Sequence, residues 1–298
     1  MEFLQFLAQY RSPAGDIFFQ GLTYLAQEVF VVAVICWLFW CADKKLAYTL
    51  GFAYFTSGLL VQGLKITFRI PRPWVLDPGF QAVESALPGA TGYSFPSGHT
   101  QSITALLGTL GLYFRKTLAK TLCFVMIFLI GFSRMYLGCH TPKDVLTSFC
   151  VSIICVLLSY HFICRRNAAD GREAVVSAVM AVICILLTVY AVILEQKSII
   201  DLAYAQDCVK ACGAGMAFAL GFYIEKRYIQ FSLPNCTKDK IIRLVIGLVV
   251  AVGLQEGLKP LIGTSLPASF LRYFLVVAWI LILYPLLFQR FSGKSPQK

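Results

Sequence analysis

The chain has 298 residues, of which 58% are hydrophobic and only 14% charged, with a mean hydropathy of +0.72. Soluble domains carry about 25% charged residues, and a water-soluble body this apolar would expose patches that aggregate, so composition excludes an ordinary soluble globule and points to a membrane. The net charge of +11 does not indicate nucleic acid, because no zinc-finger or helix-turn-helix spacing and no basic–aromatic interleaving accompanies it; in membrane proteins Lys and Arg collect in loops that face anionic headgroups.

In chain order, the first element is "MEFLQFLAQYRSPAG", which sets Phe3, Leu4, Phe6, Leu7 and Tyr10 at helical spacing. It reads as an interfacial segment, 1–21, without the basic start and long apolar run of a cleavable signal. A bilayer-spanning helix needs about 20 mostly apolar residues. That length predicts about nine spans, at 22–41, 47–66, 97–114, 118–137, 144–164, 174–194, 203–224, 242–260 and 269–288. The expected fold is all-α, a polytopic transmembrane helical bundle. It divides into the interfacial segment, a core over 22–170, and additional transmembrane helices of the same membrane domain over 171–298. The eleven cysteines, Cys36, Cys123, Cys155 and Cys184 among them, lie mostly within apolar runs and form no Cys-x-x-Cys pair. They read as reduced, small hydrophobes rather than a metal or disulfide framework.

Basic residues set the expected orientation. With the N-terminus outside, the cytoplasmic connections hold Lys44, Lys45, Arg115, Lys116, Lys120, Arg165, Arg166, Arg172, Lys226, Arg227, Lys238, Lys240 and Arg243, and the tail adds Arg290, Lys294 and Lys298. The opposite side holds fewer, so the positive-inside rule favours N-out, C-in. The glycosylation-like "NCT" at Asn235 then falls in the cytoplasm. The absence of a targeting signal and of glycosylation-rich loops points to a bacterial plasma membrane.

In this topology two extracytoplasmic connections carry the unusual chemistry. The longer, about 67–96, opens with "KITFRIPRP", which spaces Lys65 six residues ahead of Arg72–Pro73, and closes with "PSGH", Pro96 to His99. The shorter holds "SRMYLGCHTPKD", with Ser133, Arg134, His140 and Asp144. Lys65, Arg72 and Arg134 bring three cations to one membrane face, and a guanidinium pairs bidentately with phosphate oxygens. Ser97 and Gly98 open a helix whose unpaired N–H groups and positive dipole end attract an anion, and Gly98 lets a ligand approach the backbone. Thr141 is the expected N-cap of the next helix and Pro142 its first residue. Asp144 is then near enough to accept from the His140 imidazole, fixing its tautomer and leaving the other nitrogen as nucleophile. His99 is placed to protonate a leaving oxygen.

At these residues the chain resembles the type-2 phosphatidic acid phosphatase superfamily, over about residues 45–165. All three motifs of that family stand in order, with no departure at their defining positions. The resemblance implies a metal-independent phosphatase whose helical core is shared with vanadium haloperoxidases, and needs no cofactor. It makes His140 the nucleophile that forms a phosphohistidine, Asp144 its orienting partner and His99 the general acid. It assigns Lys65, Arg72, Ser97, Gly98 and Arg134 to the phosphoryl oxygens, with no metal. The implied substrate is a phosphorylated lipid of the phosphatidic acid, phosphatidylglycerophosphate or isoprenoid phosphate type. The alternative is a sugar phosphate, since "RPWVLD" (Arg72 to Asp77) is similar to a stretch of glucose-6-phosphatase. A lipid-phosphate flippase is a third reading, disfavoured because it needs no His–Asp nucleophile pair. Residues 174–298 carry no motif; there Asp207 and Lys210, and Glu256 and Lys259, are spaced to meet on helix faces.

Overall fold

The computed structural model describes residues 1–165 and 172–292, with side chains to 288 in its last helix. Arg166, Lys294, Lys298 and the Arg290 side chain, all used in the orientation argument, lie outside the described residues, as does the expected boundary at 170/171. The described residues contain helices and connections but no strand, as a backbone in hydrocarbon requires when each helix must satisfy its own N–H and C=O groups.

The chain forms two compact units. The first comprises Met1–Val32 and Phe52–Phe162. It begins with α1 (Glu2–Ala8) and α2 (Pro13–Thr23) and takes in the start of α3 (Glu28–Trp37). Leu4 and Leu7 are buried while Phe3, Phe6 and Tyr10 are exposed, so only one side of the N-terminal helix is covered. The unit continues with the second part of α4 (Lys44–Phe68), the short α5 (Pro73–Leu76), α6 (Gly98–Tyr113), α7 (Thr117–Tyr136) and α8 (Pro142–Ser159). Small residues allow close helix approach, as is common where lipid supplies no hydrophobic drive between helices. Ala53, Ala105 and Val156 pack together, and a Cβ on Gly131 would sit 3.1 Å from Val145. A second cluster, Ala86, Ala90, Tyr136, Leu137 and Cys139, folds the long connection onto the end of α7.

The second unit comprises Ala33–Gly51 and the chain from Ile163 onward. It holds α9 (Glu173–Gln196), α10 (Leu202–Ile224), α11 (Thr237–Ile262), α12 (Leu266–Ala278) and α13 (Tyr284–Ser292). Trp40, fully buried, donates from Nε1 to the Ile280 carbonyl at 3.0 Å, and Gly247 leaves room for its ring.

Among the described residues six helices are long and apolar enough to cross a membrane: Thr117–Tyr136, Pro142–Arg165, Glu173–Gln196, Leu202–Ile229, Thr237–Ile262 and Leu266–Phe288. Pro13–Ala26 and Glu28–Ala42, bent by 44°, would make a seventh as one broken span. The protein is thus a multi-pass helical membrane protein, with somewhat fewer clear spans than the nine expected. Two of the expected spans fall short for visible reasons. α6 has only 16 residues, and α4 intersperses Thr49, Thr56, Ser57 and Gln62 among its apolar residues. The expected span 22–41 starts inside α2 and runs across the bend.

Candidate active site

The first unit brings the sequence-predicted residues together. Lys65 lies in the last turn of α4 and donates from Nζ to the Tyr93 carbonyl. Arg72 precedes α5 and its guanidinium is held like a spoke. Nε donates to Gly92 O at 3.0 Å, Nη2 to Thr91 O, and Nη1 to Cys139 O at 3.0 Å. Nη1 also lies 2.9 Å from His140 Nε2. The cation and the imidazole are therefore in contact, although they are far apart in sequence.

His140 is buried, with 2% of its surface exposed. Its Nδ1 lies 3.6 Å from Asp144 Oδ2, just outside hydrogen-bond reach, and has no other partner among the described residues. A guanidinium can only donate, so the Nε2 beside Arg72 must present its lone pair, which assigns the proton to Nδ1, on the Asp144 side. Burial, followed by the charges of Arg72, Arg134, Lys65 and His99, pushes the imidazole pKa well below its ordinary value. The ring is therefore neutral at neutral pH, with Nε2 unprotonated.

Asp144 does more than face the ring. Its Oδ2 accepts from the Thr141 amide at 2.8 Å, completing a capping box at the start of α8. The same oxygen accepts from Ser94 Oγ at 2.6 Å. The Asp144 carbonyl accepts from the Ser97 amide at 3.2 Å, and Ser148 Oγ donates to the Ser97 carbonyl at 2.6 Å. These bonds tie the start of α6 to the start of α8. Ser94 and Ser148 carry no sequence signal of their own; only their proximity to the motif residues could have suggested them.

The anion-facing side is built from backbone as well as cations. Ser97 caps α6, its Oγ accepting from the Thr100 amide, while the amides of Gly98 and His99 have no carbonyl partner among the described residues, as expected for the first turn. A Cβ at Gly98 would meet nothing within 4 Å, so the space beside these amides is open. Arg134, in the last turn of α7, is 1% exposed, and its Nε and Nη2 have no partner among the described residues. A buried guanidinium without a counter-charge is costly, and a bound anion supplies one. Among the described residues no group of three or more His, Cys, Asp or Glu is placed to hold a metal ion.

The N-terminal segment supports this region. Arg11 donates from Nε to the Tyr136 carbonyl at 2.9 Å and from Nη1 to the Gln81 carbonyl at 2.6 Å. It also presses against Gly138, whose φ of +78° favours glycine. The turn that leads to His140 is therefore braced by α1–α2, a role that composition alone did not show.

The constellation gathers cations, helix-start amides and a neutral imidazole in one place, a set suited to phosphate chemistry. The profile of the PAP2 superfamily matches residues 46–168, and that of the PAP2 superfamily phosphatase transmembrane extension matches residues 209–296. The chain belongs to the PAP2 superfamily. The second match covers most of the region in which the sequence showed no motif. Undecaprenyl-diphosphatase BcrC of Bacillus subtilis is 29% identical over 147 residues, covering 49% of this chain and 72% of that protein. Human sphingosine-1-phosphate phosphatase 2 is 24% identical over 72% of this chain and 54% of its own length. A probable sphingosine-1-phosphate phosphatase of Dictyostelium discoideum is 28% identical over 52% of this chain and 40% of its length. The chain thus spans only about half of these eukaryotic relatives. Among solved structures, Aquifex aeolicus LpxE is 30% identical, with 54% of this chain and 94% of that one covered and a TM-score of 0.47.

Proposed function

We propose that this protein hydrolyses a phosphomonoester or diphosphate on a membrane lipid through a phosphohistidine at His140. The observation that supports the reading is the contact of a neutral His140 Nε2 with Arg72 Nη1 at 2.9 Å, an imidazole nitrogen and a guanidinium fork side by side. In the proposed first step Nε2 attacks phosphorus, forming an N–P bond as the ester P–O bond breaks. His99, whose pKa is held low by burial and by the charges of Arg134, Arg72 and Lys65, takes up a proton as the phosphate's negative charge arrives and gives it to the leaving oxygen. Asp144 steadies the imidazolium that forms, its 3.6 Å separation from Nδ1 shortening as charge develops. Water then attacks phosphorus, the N–P bond breaks, and His99 takes the water's proton. Lys65, Arg72, Arg134, Ser97 and the amides at Gly98 hold the phosphoryl oxygens throughout. Preorganised positive charge of this kind is the main catalytic need of phosphoryl transfer.

The lipid class follows from the relatives, whose names include an undecaprenyl-diphosphatase and sphingosine-1-phosphate phosphatases, and from a site set at the ends of membrane helices. In this reading the site faces the extracytoplasmic side of a bacterial plasma membrane, with the N-terminus out, and its cations make a divalent metal unnecessary. The test is phosphate release by the purified protein in detergent with a chelator present. Phosphatidic acid, an isoprenoid diphosphate and glucose 6-phosphate would be compared, with His140→Ala as control. Release from a lipid that vanishes in the variant supports the proposal. Preference for glucose 6-phosphate overturns the lipid assignment, and a strict metal requirement overturns metal independence.

A further inference from the structure

The N-terminal segment, expected to be interfacial, has an inner side that converges on the turn carrying His140. The PAP2 profile match begins at residue 46, so this contact is made from outside the matched stretch. The turn leaves the end of α7, where the last helix carbonyls have no intrahelical donor. Two are served locally: the Arg134 carbonyl accepts from the Cys139 and His140 amides, and the Met135 carbonyl from the Gly138 amide. The next two are served by distant chain. The Leu137 carbonyl accepts from the Val83 amide at 3.0 Å, and the Tyr136 carbonyl from Arg11 Nε at 2.9 Å. Arg11 Nη1 reaches on to the Gln81 carbonyl at 2.6 Å. One guanidinium thus clips the long connection to the end of α7.

The surroundings are shaped for that fork. The guanidinium carbon lies 5.3 Å from the centre of the Phe80 ring. A Cβ on Gly138 would stand 2.6 Å from Arg11 Nη2, so a side chain there would displace the guanidinium. The elbow between α1 and α2 also holds Tyr136 by its other end, the Ser12 amide donating to the Tyr136 hydroxyl at 3.0 Å. The residue after Gly138 is Cys139, whose carbonyl accepts from Arg72 Nη1, the nitrogen that touches His140 Nε2. A shift of this turn therefore moves the imidazole and the anchor of its neighbouring guanidinium together.

We infer that Arg11 is a positioning residue, whose fork fixes the turn over 136–140 and so aligns His140 Nε2 for attack. Its effect on rate rests on the phosphohistidine reading above. Arg11 touches no reacting atom and acts through the Tyr136 and Gln81 carbonyls. Lysine cannot replace it, because a single ammonium does not reproduce two divergent bonds held in a rigid plane. A misplacement of about 1 Å at a reacting atom costs about 10²-fold in rate. Arg11 donates to none of the groups proposed to hold the phosphoryl oxygens, so the loss falls on kcat rather than KM.

The test compares full-length wild type, Arg11→Ala and Arg11→Lys in detergent, by lipid phosphate release and by nitrogen-15 NMR of ring-labelled histidine. The chain has three histidines, so the His140 signal is identified by its loss in His140→Ala. In Arg11→Ala, kcat per folded molecule is expected to fall by about 10–100-fold, with KM within about twofold of wild type and the His140 resonance displaced. Arg11→Lys is expected to lose at least about fivefold in kcat. A loss that vanishes once rates are divided by the folded fraction, read from the melting transition, overturns the inference, since it marks a purely structural role. A rise in KM at unchanged kcat overturns it as well, as does a His140 resonance unmoved in Arg11→Ala. If Arg11→Ala does not fold, a wild-type kcat in Arg11→Lys overturns it. A wild type that releases phosphate from no lipid removes the functional reading instead, and the His140 resonance then decides the role of Arg11 alone.

Discussion

Each unit buries a cluster of ionisable groups, and the two clusters are finished differently. In the second unit Glu225, 1% exposed, is met by Lys44 and by the Tyr48 hydroxyl. Lys44 also donates to the Phe231 carbonyl at 2.9 Å and lies 4.1 Å from the centre of that ring. Both carboxylate oxygens are occupied and the charges cancel. In the first unit three cations surround one histidine, while Asp144, the carboxylate beside that histidine, is already engaged by Thr141 and Ser94. Among the described residues Arg134 keeps two unpartnered nitrogens and His140 one. A closed network of buried charges serves stability, whereas an open one with surplus positive charge is shaped for an anion that arrives later.

The contrast is broken most severely at His140, the nucleophile of the proposed mechanism. His140→Ala is expected to lower turnover by at least about 10⁴-fold with the fold retained, since no other group replaces the attacking nitrogen; residual single-turnover phosphate release above that level would point to direct attack by water. Arg72→Lys turns a fork into a point charge and is expected to lower kcat/KM by about 10²–10³-fold. Steady-state kinetics indistinguishable from wild type would remove bidentate phosphate binding from the scheme. Glu225→Gln is expected to act on the opposite quantity. It opens the closed network and destabilises by about 3 kcal/mol, seen in thermal melts, while the protein that remains folded keeps its kcat.

Two smaller effects sharpen the comparison. Ser94→Ala removes one bond to Asp144 and is expected to reduce kcat by about tenfold with KM little changed, because Ser94 acts on the orienting carboxylate rather than on substrate. The last is a pH effect. The His140 pKa is depressed in the folded state, so below about pH 6.5 the unfolded chain takes up a proton that the native site refuses. Stability then falls as pH falls, by up to about 1.4 kcal/mol per unit, until the folded pKa is reached. The melting temperature of wild type should drop more steeply than that of His140→Asn between pH 6.5 and 5; parallel curves would mean that the buried ring protonates freely.

The all-α membrane class could be read from composition, because hydrocarbon allows a spanning backbone few other solutions, and the family from three spaced motifs. What the spacing could not carry was the number of clear spans, since α4 and α6 are helices whose length or polarity blurs the criterion. The caps were legible for a local reason. Thr141, Pro142 and Asp144 lie within one turn, and a capping box is decided by residues three apart.

By itself the sequence determined which cations and histidines stand beside which helix starts, since that depends on short-range spacing. The tertiary structure alone decided that Arg72 touches His140 across 68 positions, that Ser94 holds Asp144, and that Arg11 braces the turn before His140. It also decided which buried charges close on themselves, at Glu225, and which stay open among the described residues, at Arg134. The physical reason is that a charge's partners are set by packing between distant segments, and burial in a medium of low dielectric makes the presence or absence of each partner count.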